Sequence, residues 1–286
     1  MITQAHQAHP QLTLQRLCEL FGISRSWYYE QLDQPGDDAD AIALRDQIER
    51  IILEFPGYGY RRVTHTLARQ GCRVNHKRVL RIMREESLLC HLKKRFVVAT
   101  TNSRHRFPVY PNVLAEVVLN TPDQAWVADL TYIRLRSAFV YLACILDAFS
   151  RRCVGWHLSR EMTTQLTLTA LKQAIVERRP QPGLIHHSDR GVQYASYDYV
   201  EQLQQIGAQI SMSSVSNPYD NAKAESFFKT LKQEEVYLKE YDSFADAEAN
   251  LAVFIEQVYN TKRLHSSLGY LPPAEFEATY IPVTGS

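Results

Sequence analysis

None of the five cysteines (Cys18, Cys72, Cys90, Cys144, Cys153) stands in a C-x-x-C pair, which leaves no paired-cysteine metal or redox motif. Cys72, His76, Cys90 and His91 could be gathered around a zinc ion on paper, but their spacing matches no common zinc module, so core or surface positions are expected for them. No apolar run reaches the roughly 20 residues that a membrane helix needs. No secretory leader is visible either, so reduced thiols in a cytosol are the expectation. Net charge is also missing. The 32 Lys+Arg and 31 Asp+Glu leave +1, a total that by itself points to no partner.

The distribution of charge is informative where the total is not. Residues 61–106 hold 13 Lys/Arg against 2 Asp/Glu, a balance of +11, whereas residues 121–286 hold 15 against 19, a balance of −4. A basic segment beside an acidic body suggests a polyanion-binding arm and a separate metal-binding domain. The basic part reads as helices. Leu14, Leu17, Cys18, Leu20 and Phe21 repeat at helical spacing, Gly22 supplies a turn, and Ser24 can cap a second helix through Tyr29, giving a short helix-turn-helix-like segment over 1–36. A basic helical domain follows over 40–106. It has helices at Asp40–Phe55, Tyr60–Gln70 and His76–Glu86, the last capped by Asn75, with Val79, Ile82 and Met83 inward and Lys77, Arg78, Arg81 and Arg84 outward. Arg61, Arg62, Lys77, Arg78, Arg81, Lys93 and Lys94 are the candidate phosphate contacts. Residues 107–120 form a connector.

From Gln124 the pattern changes to β. Trp126–Leu135, Phe139–Phe149 and Cys153–Leu158 are β-rich runs joined by short turns. A helix at Thr163–Arg179, a buried strand at Leu184–Ser188, a helix at Tyr197–Ile206, a strand at Gln209–Met212 and a helix at Asn221–Tyr237 follow. The order βββαβαβα is that of an α/β, ribonuclease-H-like core: a mixed five-stranded sheet with helices, expected over 121–240, preceded by the all-α helix-turn-helix region. A C-terminal helix and turn-rich tail occupy 241–286. Three acids take strategic places. Asp129 lies within the first strand, Asp189 just after the fourth, and Glu225 on the last helix of the core. An acid inside an apolar strand needs a partner, and a cation suits it. Three such carboxylates can hold a pair of Mg²⁺ ions, with Mn²⁺ as substitute, a set suited to phosphodiester chemistry.

Other acids have blander explanations. Asp123 suits the turn after Pro122, Asp147 can pair with the arginines of Ser150-Arg151-Arg152, and Asp220 suits a helix N-terminus. Lys229 and Lys232 share a helix face with Glu225 at i+4 and i+7 and could hold phosphates beside the acids. His187 and Asn221 flank the acids as second-layer or turn residues.

These strings together resemble a family. Gly57-Tyr58-Gly59-Tyr60-Arg61-Arg62-Val63, Trp126-Val127-Ala128-Asp129-Leu130-Thr131-Tyr132, Leu146-Asp147-Ala148-Phe149-Ser150-Arg151-Arg152, His187-Ser188-Asp189-Arg190-Gly191 and Asn217-Pro218-Tyr219-Asp220-Asn221 followed by Glu225 occur in order. Tyr259-Asn260, Arg263, His265 and Leu268-Gly269-Tyr270 complete them. The chain resembles bacterial insertion-sequence transposases of the downstream-frame (orfB) type, with a retroviral-integrase-like DDE core. Ser216 stands where that family usually has Gly. The resemblance implies a metal-dependent polynucleotidyl transferase that cleaves mobile-element ends and joins the 3′-hydroxyl to target DNA. Asp129, Asp189 and Glu225 would be catalytic and metal-binding, with two ions per site. It further implies double-stranded DNA as partner, a homo-oligomer when two ends are synapsed, an upstream-frame partner or fusion, no membrane, and a bacterial cytoplasmic, nucleoid-associated location. A structure-specific nuclease of the same fold and a catalytically idle DNA-binding regulator are the alternatives.

Overall fold

A computed structural model describes residues 12–25, 28, 39–90, 107–213 and 221–280. The chain divides into two units, Met1–Arg50 and Ile51–Ser286. In the first, helix α1 (Leu14–Leu20) is capped by Thr13, whose hydroxyl accepts from the Arg16 amide at 3.3 Å. Leu17 and Cys18 are buried with Tyr28, while Leu20 and Phe21 remain exposed, so only half of the expected apolar repeat is used. Trp27, Tyr29 and the linker at 33–38 lie outside the described residues. Helix α2 (Ala39–Glu54) carries the chain across the boundary between the units.

The second unit begins with helices α3 (Tyr60–Arg69) and α4 (His76–Glu85), which pack on each other through Val63, Leu67, Val79 and Met83. Asn75 caps α4 as expected, its Oδ1 accepting from the Lys77 amide at 2.9 Å. Strands β1 (Ala125–Arg134), β2 (Phe139–Asp147) and β3 (Cys153–Ser159) form an antiparallel meander. Strands β4 (Ile185–Ser188) and β5 (Gln209–Met212) add in parallel, giving the order β3-β2-β1-β4-β5. Helices α5 (Thr164–Arg178), α6 (Val192–Ala195) and α7 (Tyr197–Gln205) come from the crossovers, and α8 (Ala222–Leu231) follows β5. This is the ribonuclease-H-like core.

Alternation along β1 sorts its side chains between two cores. Trp126, Ala128 and Leu130 join Leu166, Leu171, Ala174 and Leu203 on the α5 and α7 side. Val127 and Ile133 join Phe227, Phe228 and Leu231 of α8 and Leu251 and Phe254 beyond it on the other. At Gly155 a side chain would collide with the Ala170 carbonyl, so β3 and α5 lie backbone to backbone there. No helix among the described residues is long and apolar enough to cross a membrane.

Two long helices differ from their expected form. The helix after Asn221 widens into a π-turn at Lys232–Val236, and helix α9 (Phe244–Ala252) does so at Val253–Tyr259. A change of hydrogen-bond register leaves no mark in a 3.6-residue apolar repeat.

The tail is no loose appendage. It contains helix α10 (Pro273–Ala278), and it fastens α3 to the core. The Tyr58 hydroxyl accepts from the Leu264 amide at 2.7 Å, Arg62 Nε donates to the Leu264 carbonyl at 3.0 Å, and the His65 ring stacks on Tyr270. Arg263 binds Glu234 through two bonds of 2.7 and 2.8 Å, both side chains almost fully buried. Glu234 in turn lies against Gly57, where an added Cβ would overlap its side chain. Helices α3 and α4, the sheet and the tail all lie in the unit Ile51–Ser286.

Candidate active site

Asp129 falls on the α8 side of the sheet by the same alternation that turns Val127 there. The parallel register pairs Val127 with His187, so Asp129 and Asp189 stand the same two residues further along neighbouring strands. Asp189 opens the turn into α6, its Oδ1 accepting the Gly191 amide at 2.9 Å. Helix α8 is tied to β1 beside Asp129 by Asn221, whose Nδ2 donates to the Ala128 carbonyl at 3.3 Å. Glu225 lies one turn into that helix and is exposed.

The electrostatics tie the three together. Burial, then the negative charge of Asp189, pushes the Asp129 carboxyl up to about 8. The Leu130 amide, donating to Asp129 Oδ1 at 2.8 Å, opposes that rise, Glu225 adds to it, and Lys232 opposes it. No lysine or arginine among the described residues forms an ion pair with Asp129. The donors are all carboxylate oxygens, the chemistry that suits a hard divalent cation such as Mg²⁺. Among the described residues, no three His, Cys, Asp or Glu side chains are grouped tightly enough to enclose a metal ion.

The remaining expectations divide. His187 is fully buried, its ring nitrogens 2.8 and 3.1 Å from the hydroxyls of Ser211 and Ser213. It joins β4 to β5 in the layer behind the acids. Asn221 is also buried, and its Oδ1 has no partner among the described residues. Lys229 is exposed, while the Lys232 ammonium lies 4.3 Å from the centre of the Tyr132 ring. Lys77, Arg78 and Arg81 line the exposed face of α4, and Arg61 is exposed with its guanidinium over Tyr60. Arg62 differs from Arg61. It is half-buried, and its Nε serves the Leu264 carbonyl, because α3 is fastened to the tail on that side. Lys93, Lys94, His91 and the stretch Ser216–Asp220 lie outside the described residues. Cys72 and Cys90 are free thiols.

Asp147 is structural, but not through the arginines beside it. It is fully buried and accepts from the amides of Asp123, Phe149 and Ser150 at 2.7, 3.0 and 2.7 Å. Asp123 pairs instead with Arg178 at 2.7 Å. Two features went unread in the sequence. Tyr194 is buried, its hydroxyl has no partner among the described residues, and burial together with the nearby acids holds it firmly protonated. The Lys223 ammonium is held below the usual lysine range by burial and then by the charge of Arg151. Lys223 stands two residues before Glu225, and that was the only local signal.

An HTH-like domain family matches residues 38–96, and integrase core domain families match 120–218 and 206–273. The chain is 40% identical over 268 residues to a 31 kDa protein of insertion element IS600 from Shigella sonnei, covering 92% of this chain and 98% of that one. It is 39% identical over 236 residues to the transposase of insertion sequence IS904 from Lactococcus lactis, covering 82% and 93%. It is 32% identical over 280 residues to the transposase InsF of IS3A from Escherichia coli K12, covering 96% of each. Among solved structures it is similar to a simian T-cell lymphotropic virus intasome at 16% identity and a TM-score of 0.47, covering 78% of this chain and 72% of that one.

Proposed function

The chain belongs to the insertion-sequence transposases with an integrase core domain, and on that premise we propose that one site, formed by Asp129, Asp189 and Glu225, both cuts element ends and joins them to target DNA. The observation that carries this reading is Asp129 itself: a half-buried carboxylate on a strand, pushed up by burial and by the charges of Asp189 and Glu225, with no lysine or arginine ion-paired to it among the described residues. Asp129, Asp189 and Glu225 would hold two Mg²⁺ ions, which when bound supply Lewis acidity toward the phosphodiester and favour deprotonation of water or a 3′-hydroxyl.

The chain's own residues do the rest. Asn221 fixes the start of α8 against β1 and so sets the reach of Glu225 toward the strand. His187, braced by two serines, stiffens the end of β4 from which Asp189 projects. Lys229, on the exposed face of α8, meets the phosphates of the DNA end. Lys77, Arg78 and Arg81 hold duplex at α4 through its backbone, which gives affinity with a steep salt dependence. Cutting and joining are both attacks by an oxygen on a phosphodiester, so one site serves both and no covalent protein–DNA intermediate is needed. Two ends must meet before joining, which calls for more than one copy of the chain. An upstream-frame partner or fusion would add recognition of the ends.

The test uses a duplex carrying the terminal sequence of the element that encodes this chain. Cleavage and joining are expected with Mg²⁺ or Mn²⁺, and binding without cleavage with Ca²⁺. Full cleavage in excess chelator would overturn the metal assignment.

A further inference from the structure

Away from the three acids, Arg151 and Lys223 line one open cavity of about 290 Å³ with Leu114, Val117, Phe149 and Ser267. Resting on the DNA-joining reading above, we propose that this cavity seats a backbone phosphate of the bound DNA, gripped by Arg151 and Lys223.

Neither cation has an ion pair among the described residues. That sets them apart from Arg152, Arg178 and Arg263, each of which binds a carboxylate. The acid of the same turn, Asp147, already accepts three amides. The two cations facing the cavity repel each other, an effect that the charge of Asp147 only partly offsets at Lys223, and a phosphate relieves that repulsion.

The local backbone does not explain these residues. Arg151 has φ 64°, a left-handed conformation that Gly or Asn adopts at lower cost. Lys223 is the second residue of α8, where a cation opposes the helix dipole and an anion is favoured. Both side chains therefore sit where local stability would choose otherwise. Apart from Ser267, the cavity's remaining wall is apolar, through Leu114, Val117, Leu119, Ala148 and Phe149. A sugar or base edge attached to the phosphate can rest there, whereas a free hydrated anion gains nothing from it.

The location suits a strand that also reaches the acids. Asp147, at the start of the turn carrying Arg151, pairs with Trp126, three residues before Asp129 on β1 and so about 10 Å along the sheet. Lys223 and Glu225, two residues apart, point about 200° from each other around α8. DNA would thus contact both flanks of the helix that carries Glu225, and its position would be set on the side away from the chemistry.

The experiment measures binding of the full chain to a mixed-sequence DNA duplex as a function of salt, for the wild type, Arg151→Gln, Lys223→Gln and the double variant. A single shared phosphate predicts that each variant lowers the slope of log affinity against log salt by about 0.9, and that the double variant lowers it no further. Affinity at low salt should fall about tenfold, with melting temperatures unchanged, and Arg151→Lys should recover most of it. A scan of duplexes made neutral at one phosphate by methylphosphonate gives a reading that does not depend on variant folding. One position should weaken the wild type and leave the double variant indifferent. An unchanged slope, slope losses that add, or a scan without such a position overturns the proposal. Stabilisation of the wild type alone by inorganic phosphate, with DNA binding unaffected in the variants, overturns it in favour of a free-anion site. A wild-type chain that ignores duplex altogether sinks the DNA reading itself, a result distinct from any of these.

Discussion

Asp129 and Asp147 lie on neighbouring strands of one sheet, and their surroundings are opposite. Asp147 accepts three amides from the turns around it. Burial raises its pKa, but these bonds oppose the rise. Asp129 accepts one amide, and the charges of Asp189 and Glu225 add to the effect of burial, with only Lys232 acting against them besides that amide. One carboxylate is satisfied by its own fold. The other has no ion pair among the described residues, which is the ground for proposing that a cation binds there. The same contrast separates Arg152, Arg178 and Arg263, all paired, from Arg151 and Lys223 in their shared cavity.

The contrast can be broken most sharply at the acids. Asp189→Asn and Glu225→Gln should each lower both cleavage and joining by at least about 10³-fold, and the double variant should lose little more, because the carboxylates act as one unit. Scoring the two reactions separately on each variant checks this. A Glu225→Gln enzyme that joins ends normally would remove Glu225 from the site.

A smaller effect is expected at the satisfied ion pair. Arg263→Ala would leave Glu234 buried without its partner and should cost about 3–5 kcal/mol, read from the denaturant midpoint. Acid should weaken the same packed regions. Burial, first of all, lowers His186 to about 3 and His265 to about 2, so the folded chain keeps them neutral where the unfolded chain protonates them. Their contribution to stability is complete above pH 6.5 and is lost as pH falls below it, at about 1.4 kcal/mol per pH unit for each histidine. His186→Phe should flatten that acid slope in equilibrium unfolding.

The smallest effects belong to the exposed face of α4. Arg78→Ala and Arg81→Ala should change stability by no more than about 0.5 kcal/mol, yet each should lower the salt slope of DNA binding by about 0.9. Unchanged slopes would turn α4 away from the DNA.

How far the sequence disclosed this follows from the range of each interaction. The strands and helices were legible because apolar periodicity is local, and so was Asn75 as a cap, whose partner is two residues away. The three acids could be singled out because strand order limits where each emerges, and their role remains a proposal. Glu234 and Arg263 both stand in plain view, yet nothing local pairs residues 29 apart. Arg62 lies in a basic run that reads as solvent-facing, and only the return of the tail past α3 turns it inward. The cavity between Arg151 and Lys223 likewise comes from a turn, a helix start and the connector meeting in space.

The central claim is that Asp129 is held for chemistry and Asp147 for structure, and the most direct test compares Asp129→Asn with Asp147→Asn for stability and for both DNA reactions. The account predicts a crossing. Asp129→Asn replaces a carboxyl whose ionised form its surroundings disfavour, so it should keep or raise the melting temperature while abolishing cleavage and joining. Asp147→Asn can keep an oxygen toward the Phe149 and Ser150 amides but then turns an NH2 donor toward the Asp123 N–H, so it should lose about 1–3 kcal/mol of stability and retain both reactions. Loss of stability in Asp129→Asn with activity preserved, or loss of activity in a stable Asp147→Asn, would contradict it.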